Sequence, residues 1–158
     1  FKSPSFPIFV EGKIVSEQGD TNAETYQIYQ DANTKQDQYK VSIPLWSDQQ
    51  VVAAFEPFYF SGHFYFPAYK NERVLVSLGL HTATIVRFLD WRANARLPMD
   101  SQGNRLLMGQ TATSQTTMSH SYVDSKPVLN VQRTSDKDLQ VIKLSEGSLL
   151  LQATQDES

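Results

Sequence analysis

The side chains in this chain that are suited to chemistry are few and scattered. His63, His81 and His120 stand alone, with no second ligand at the HxH or HExxH spacings that bring two imidazoles to one metal. Glu56, Glu72 and Asp90 supply carboxylates, and glycosidic cleavage needs two of these roughly 5 to 10 Å apart. Each of the three falls at the end of a strand-like segment, where solvated charges ordinarily sit. There is no serine in a GxSxG elbow, no P-loop and no GxGxxG turn. Cysteine is absent, which removes disulfides, thiolate metal sites and thiol nucleophiles. The expectation is therefore no enzyme activity, no metal site and no cofactor.

What remains is surface chemistry, and the aromatic block FEPFYFSGHFYFPAY is its densest part. Exposed aromatics on a small barrel can stack single-stranded nucleic acid or sugar, with Lys70 and Arg73 near enough to take phosphates. Glu56 and Glu72 balance those two cations, and the whole chain carries a net charge of −3 from 14 basic and 17 acidic side chains. Such a balance gives no electrostatic funnel, so no nucleic-acid partner is expected. In the competing reading, alternate aromatics such as Phe64 and Phe66 fill the barrel and the others pack on a neighbouring chain. Phe58, Tyr59, Phe60, Phe64, Tyr65 and Tyr69 are accordingly interface candidates. Arg87, Trp91, Arg92, Arg96 and Arg105, opposed by Asp90 and Asp100, form the only locally basic stretch. Trp91 and Arg92 join the interface candidates, since arginine and tryptophan suit ion pairs and contacts between subunits.

The elements that would position these residues are strands. Ile8, Val10 and Gly12 alternate with Phe9, Glu11 and Lys13, with the glycine where a small barrel would bend. TYQIYQ is a second short strand or a strand extension. In YKVSIPLW, Val41, Ile43 and Leu45 alternate, and Pro44 ends the strand or places it at an edge because proline donates no ladder hydrogen bond. VVAAFEP, RVLVSLG and ATIVRFLD follow, with Val74, Val76 and Leu78 marking a half-buried strand. No amphipathic helix separates them; WRANARL is the only helical candidate, and RLLMG is a further short strand. The predicted class is all-β, with a small barrel over residues 1–109.

Residues 110–123 begin with the Gln/Thr/Ser-rich run QTATSQTTMSHS, which lacks periodicity and predicts a polar linker. In 124–158, VLNVQR, DLQVIKLS and GSLLLQAT are three short β segments that bury too little to stand alone, so another surface must cover them, plausibly copies of themselves. Leu139 and Val141 alternate, Ile142 and Leu144 take the opposite phase, and Leu149 and Leu151 alternate again. That change of phase predicts a bulge or turn near Val141 and Ile142. Leu139, Val141, Leu149 and Leu151 are the interface candidates of this region. No apolar run approaches the roughly 18 residues of a membrane span. The start, FKSPSFPIFV, has neither a signal-peptide arrangement nor an initiator Met, so a piece of a longer protein is expected.

These segments, in this order, resemble the oligonucleotide/oligosaccharide-binding (OB) type barrel of the central spike proteins of contractile injection machines. That family includes phage tail spikes and the valine-glycine repeat spikes of type VI secretion. Pro44, Leu45 and Trp46 match its Pro-Trp-like strand end, Val52 to Pro57 its V-R-V-A-x-P segment, Gly62 to Pro67 its G-x-x-F-x-P turn, and Asn71 to Val76 its G-D-E-V-L-V run. The family's glycine before the acidic residue is replaced here by Lys70-Asn71, Leu45 splits the Pro-Trp pair, and residues 91–108 have no counterpart. The resemblance covers about residues 38–90, with the tail similar to the opening of a needle region. It implies a non-enzymatic spike segment that helps pierce a target envelope: an OB-type barrel, a linker, and the first strands of a trimeric β-helix or needle. The implied partners are two further copies in a homotrimer, hub or baseplate and inner-tube proteins, a tip or effector protein at the needle end, and transiently the target membrane. The implied location is the bacterial cytoplasm during assembly, then a virion tail, a secreted spike or an extracellular particle. The alternative is a monomeric OB-type module that binds single-stranded nucleic acid or carbohydrate.

Overall fold

Residues 5–55 and 63–154 are described by a computed structural model. Among them every regular element is a strand, apart from two 3-10 turns, Pro44–Trp46 and Met99–Ser101. The chain divides into two units, Phe1–Asp90 and Trp91–Ser158. The first contains β1 (Ile8–Val15), β2 (Tyr29–Gln30), β3 (Asp37–Ile43), β4 (Gln49–Phe55), β5 (Arg73–Leu78) and β6 (Ala83–Phe88). The second contains β7 (Asn104–Thr111), β8 (Ser114–Val123), β9 (Lys126–Ser135), β10 (Asp138–Ser145) and β11 (Ser148–Thr154).

In the first unit the strands pair in the order β1-β5-β6-β4-β3, and β3 returns to β1, closing a five-strand barrel with β2 added outside β3. The β4–β6 pair is parallel and the others are antiparallel. This is an OB-type closure, in which no strand of the barrel is left as a free edge. The period-2 pattern in the sequence drives it. Val10, Gly12 and Ile14 point inward from β1, and Val74, Val76 and Leu78 from β5. Tyr39, Val41, Ile43, Ala53 and Ile85 complete the core from the other strands.

Closure requires β1 to serve two partners at once: Val10 faces Val76 on β5, while Ile14 faces Val41 on β3. Gly12 makes this possible by its size. A Cβ at that position would lie 2.3 Å from Val41 Cγ1 and 3.1 Å from Val76 Cγ2. Tyr39, 2% exposed, is held by a second device: its hydroxyl accepts a hydrogen bond from the Ala68 N–H (3.1 Å), tying β3 to the segment before β5. Burial pushes its phenol well above the usual range. Edge-to-face contacts then run from Tyr39 to Phe55 and from Phe55 to Phe88.

Several expectations are corrected. β3 does end at Ile43, but Leu45 then leaves the alternation, because the 3-10 turn begun by Pro44 places it outside the barrel at 77% exposure. WRANARL is not helical. Residues 110–123 are not a linker: Ser114–Val123 form β8, paired on one side with β7 and on the other with β9. Threonine and serine fit a pleated strand when neighbours on both sides satisfy the backbone, whatever their polarity. The boundary between units therefore falls after Asp90, and RLLMG belongs to the second unit, not to the barrel. No bulge interrupts β10, since Val141 pairs with Gln132 and Ile142 with Val131 in continuous register. Both faces of that strand carry apolar side chains, which is what breaks the alternation.

The barrel's closure devices are testable by denaturation. Gly12→Ala is expected to lower unfolding free energy by roughly 1–3 kcal/mol through overpacking against Val41. Tyr39→Phe should cost about 1–3 kcal/mol by leaving the Ala68 N–H without its acceptor. Both would be read as a lower urea midpoint at unchanged slope, and unaltered midpoints would show that neither contact closes the barrel.

Candidate interaction surfaces

The second unit is an antiparallel meander in the order β11-β10-β9-β8-β7. Residues paired across strands share a face, so the register assigns every side chain to one of two sides. On one side lie Leu107, Thr117, Gln132 and Val141, with Arg105, Ser119, Asn130 and Lys143 in the next row. Thr117 and Ser119 are buried here, and the Arg105 guanidinium donates to the Asn94 carbonyl (3.0 Å). The chain before β7 thus folds back onto this sheet. The Arg92 guanidinium donates to the carbonyl of Gln110 (3.1 Å), at the irregularity between Gly109 and Thr111. Gly109 has φ +125°, and a Cβ there would meet the Ser114 carbonyl oxygen and Gln115 Cα at 2.6 Å, so this bulge requires glycine.

The other side is apolar and open. Leu106, Met118, Val131, Ile142 and Leu151 form one continuous row across all five strands. The adjacent row is Asn104, His120, Leu129, Leu144 and Leu149. Leu106, Met118, Ile142 and Leu144 are each exposed, and Leu149 and Leu151 on the outermost strand are 63% and 70% exposed. A shallow groove between Val131, Ile142 and Leu151, bounded by Arg133 and Gln140, crosses the same side. Scattered exposed leucines need no explanation, but a full apolar row beside the run Leu129, Leu144 and Leu149 makes a contiguous patch of the kind that marks an interaction surface.

Of the interface candidates in the sequence, Leu149 and Leu151 lie on this open side, and Leu139 and Val141 lie on the opposite one. Leu106, Met118, Leu129 and Val131 complete the surface and were missed. The signal was present as alternation of Met118 and His120 within the polar run, but only the cross-strand register gives it meaning. Trp91 is 71% exposed, in the segment that folds back with Arg92.

On the barrel, Phe58, Tyr59 and Phe60, with Glu56, lie outside the described residues. Phe64 and Phe66 do not fill the barrel. They are exposed and stack on each other at 6.1 Å, beside Tyr65 at 67% exposure. Tyr69 meets Tyr26 edge-on at 5.4 Å. Burial first, then Asp37, pushes the Tyr65 phenol up. The carboxylates noted in the sequence are engaged separately. Glu72 accepts from the Tyr69 N–H (2.8 Å), and Asp90 pairs with Arg73 (3.6 Å), which also grips Glu11 and so holds that carboxyl below the usual range. Asn71, at φ +73°, stands in the left-handed turn where the resembling family carries glycine; asparagine tolerates that conformation. His63 and His81 are exposed, and no group of three or more His, Asp or Glu is arranged for a metal among the described residues.

These features define an all-β chain of two units, an OB-type barrel and a five-stranded antiparallel sheet with one open apolar face. Solved structures share that fold. The chain is similar to a chain in the lidless form of a PdpA–VgrG complex, with a TM-score of 0.75 and 11% identity over 98% of its own length. It is similar also to chains in the lidded and half-lidded Francisella PdpA–VgrG complexes, with TM-scores of 0.76 and 0.74 at 10% and 11% identity, again over 98% of its length. It spans 32%, 26% and 29% of those three chains. No family model and no curated protein matches the sequence.

The chain's balanced charge, −3 overall, gives a phosphate backbone no electrostatic funnel at this cluster. A labelled single-stranded oligonucleotide is expected to show no saturable anisotropy change at micromolar protein, for the native chain and for Tyr65→Ala alike. Saturable binding that salt weakens and Tyr65→Ala abolishes would establish the nucleic-acid module instead.

Proposed function

We propose that this chain is a non-enzymatic structural segment of the central spike of a contractile injection apparatus, of the kind found in phage tails, type VI secretion or related particles. The observation that carries this reading is the open apolar face of the second unit. In the proposed assembly three copies turn that face inward, and the sheets become the walls at the start of a needle that follows the barrel. Each exposed leucine or isoleucine so covered contributes on the order of 1 kcal/mol. The likeness in fold to chains of PdpA–VgrG complexes supports the reading.

The function that follows is mechanical. Contraction drives the spike against a target envelope, and mutually covered sheets resist shear because a strand cannot leave without exposing its row of apolar side chains. The hub or baseplate and inner-tube proteins would hold the barrel end, and a tip or effector protein the needle end. The segment would meet the target membrane only in passing, after assembly in a bacterial cytoplasm and delivery as part of a tail, a secreted spike or an extracellular particle.

Light scattering coupled to size exclusion tests the assembly directly. The expected mass is three times 17.9 kDa. Leu149→Asp and Leu151→Asp, at exposed positions, should return the chain to monomer while moving the barrel's urea midpoint by no more than about 0.5 kcal/mol equivalent. A native chain that stays monomeric at high concentration would sink the proposal, and it would leave the monomeric binding module as the working reading.

A further inference from the structure

The open face contains one side chain unlike its neighbours. His120 on β8 stands between Asn104 on β7 and Leu129 on β9, at the end of the apolar run Leu129, Leu144 and Leu149. Its ring meets Tyr122 edge-on with centroids 5.2 Å apart. No carboxylate pairs with it. From β7 it is faced by Asn104 and Leu106, from β8 by Met118 and Tyr122, from β9 by Leu129, and Leu144 on β10 continues the row. The charged side chains nearest it along the strands are Arg133 on β9, two rows and about 14 Å away, and, toward the other end, Asp124 in the turn after β8 and Glu146 in the turn after β10, which pairs with Lys126. Asp138 lies a row beyond Arg133. Asp100, in the 3-10 turn that approaches β8, makes no ion pair with the imidazole.

We infer that His120 makes self-association of this face sensitive to pH, with assembly favoured when the imidazole is neutral and opposed when it is protonated. The inference rests on the reading that copies of the chain cover the face. Whatever covers Leu129 and Met118 also covers the ring between them. Burial among Leu129, Met118 and Leu106 disfavours the charged form, and among the described residues no carboxylate is paired with the ring to compensate it. An imidazole free in water titrates at about pH 6.5. Dissociation therefore takes up protons: the assembly keeps its full strength while the ring is neutral in both states, and loses it as pH falls through the range where the free ring charges. With one imidazole per copy, three add together.

Size exclusion with light scattering on the whole chain, at about pH 7.5 and about pH 5.5, reads this out. The native chain should be trimeric at the higher pH and should dissociate at the lower, with up to roughly a thousandfold loss in association constant, about tenfold for each imidazole. Barrel tryptophan fluorescence should stay unchanged. His120→Leu and His120→Gln should stay assembled at both values. A native trimer equally stable at both, or variants that dissociate in acid as the native chain does, would overturn the switch and leave the spike reading intact. A native chain monomeric at both values would overturn the assembly itself, and the switch with it.

Discussion

A single layer of β-strands has two faces, and water can be kept from both only if something lies on each. That constraint governs the second unit. One face of the β7–β11 sheet holds buried Thr117 and Ser119, with the chain before β7 anchored to it through Arg105 and Arg92. The other holds one full apolar row and most of a second, exposed among the described residues. The edges differ as well. At β7, a glycine bulge and an arginine on the Gln110 carbonyl interrupt the ladder. On β11, Ser148–Thr154 are exposed throughout. Natural sheets avoid long uncharged edges unless another chain or strand meets them.

The barrel solves the same problem internally. By pairing β1 with both β3 and β5 it removes its edges and encloses its core, at the cost of bringing β3 side chains against the β1 backbone. Gly12 absorbs that contact, and the buried Tyr39 hydroxyl converts the backbone of the incoming segment into part of the wall. A closed barrel needs no partner to hold its fold. The sheet of the second unit, by contrast, leaves one apolar face exposed among the described residues.

Much of the barrel was legible. Alternation in β1, β3, β5 and β6 follows directly from apolar residues every second position, because one face of each strand meets a core. Pro44 marked the end of β3 for a reason local to its own ring and nitrogen. The aromatic pair Phe64 and Phe66 misled, since apolar character alone does not say which side of a strand or loop a ring will take. In the second unit the polar run 110–123 hid a central strand: its regularity lies in what its neighbours supply, not in its own periodicity.

The sequence by itself determined the all-β class, the absence of thiol chemistry, the dispersed charge and most strand positions. These depend on residue type and on spacing over a few positions. Tertiary structure alone decided that β1 closes the barrel, that the units part after Asp90, and that Leu139 and Val141 face away from Leu149 and Leu151. It also set His120 beside Leu129 and Met118. Each of those depends on register between strands far apart in the chain, and a shift of one residue would exchange the two faces entirely.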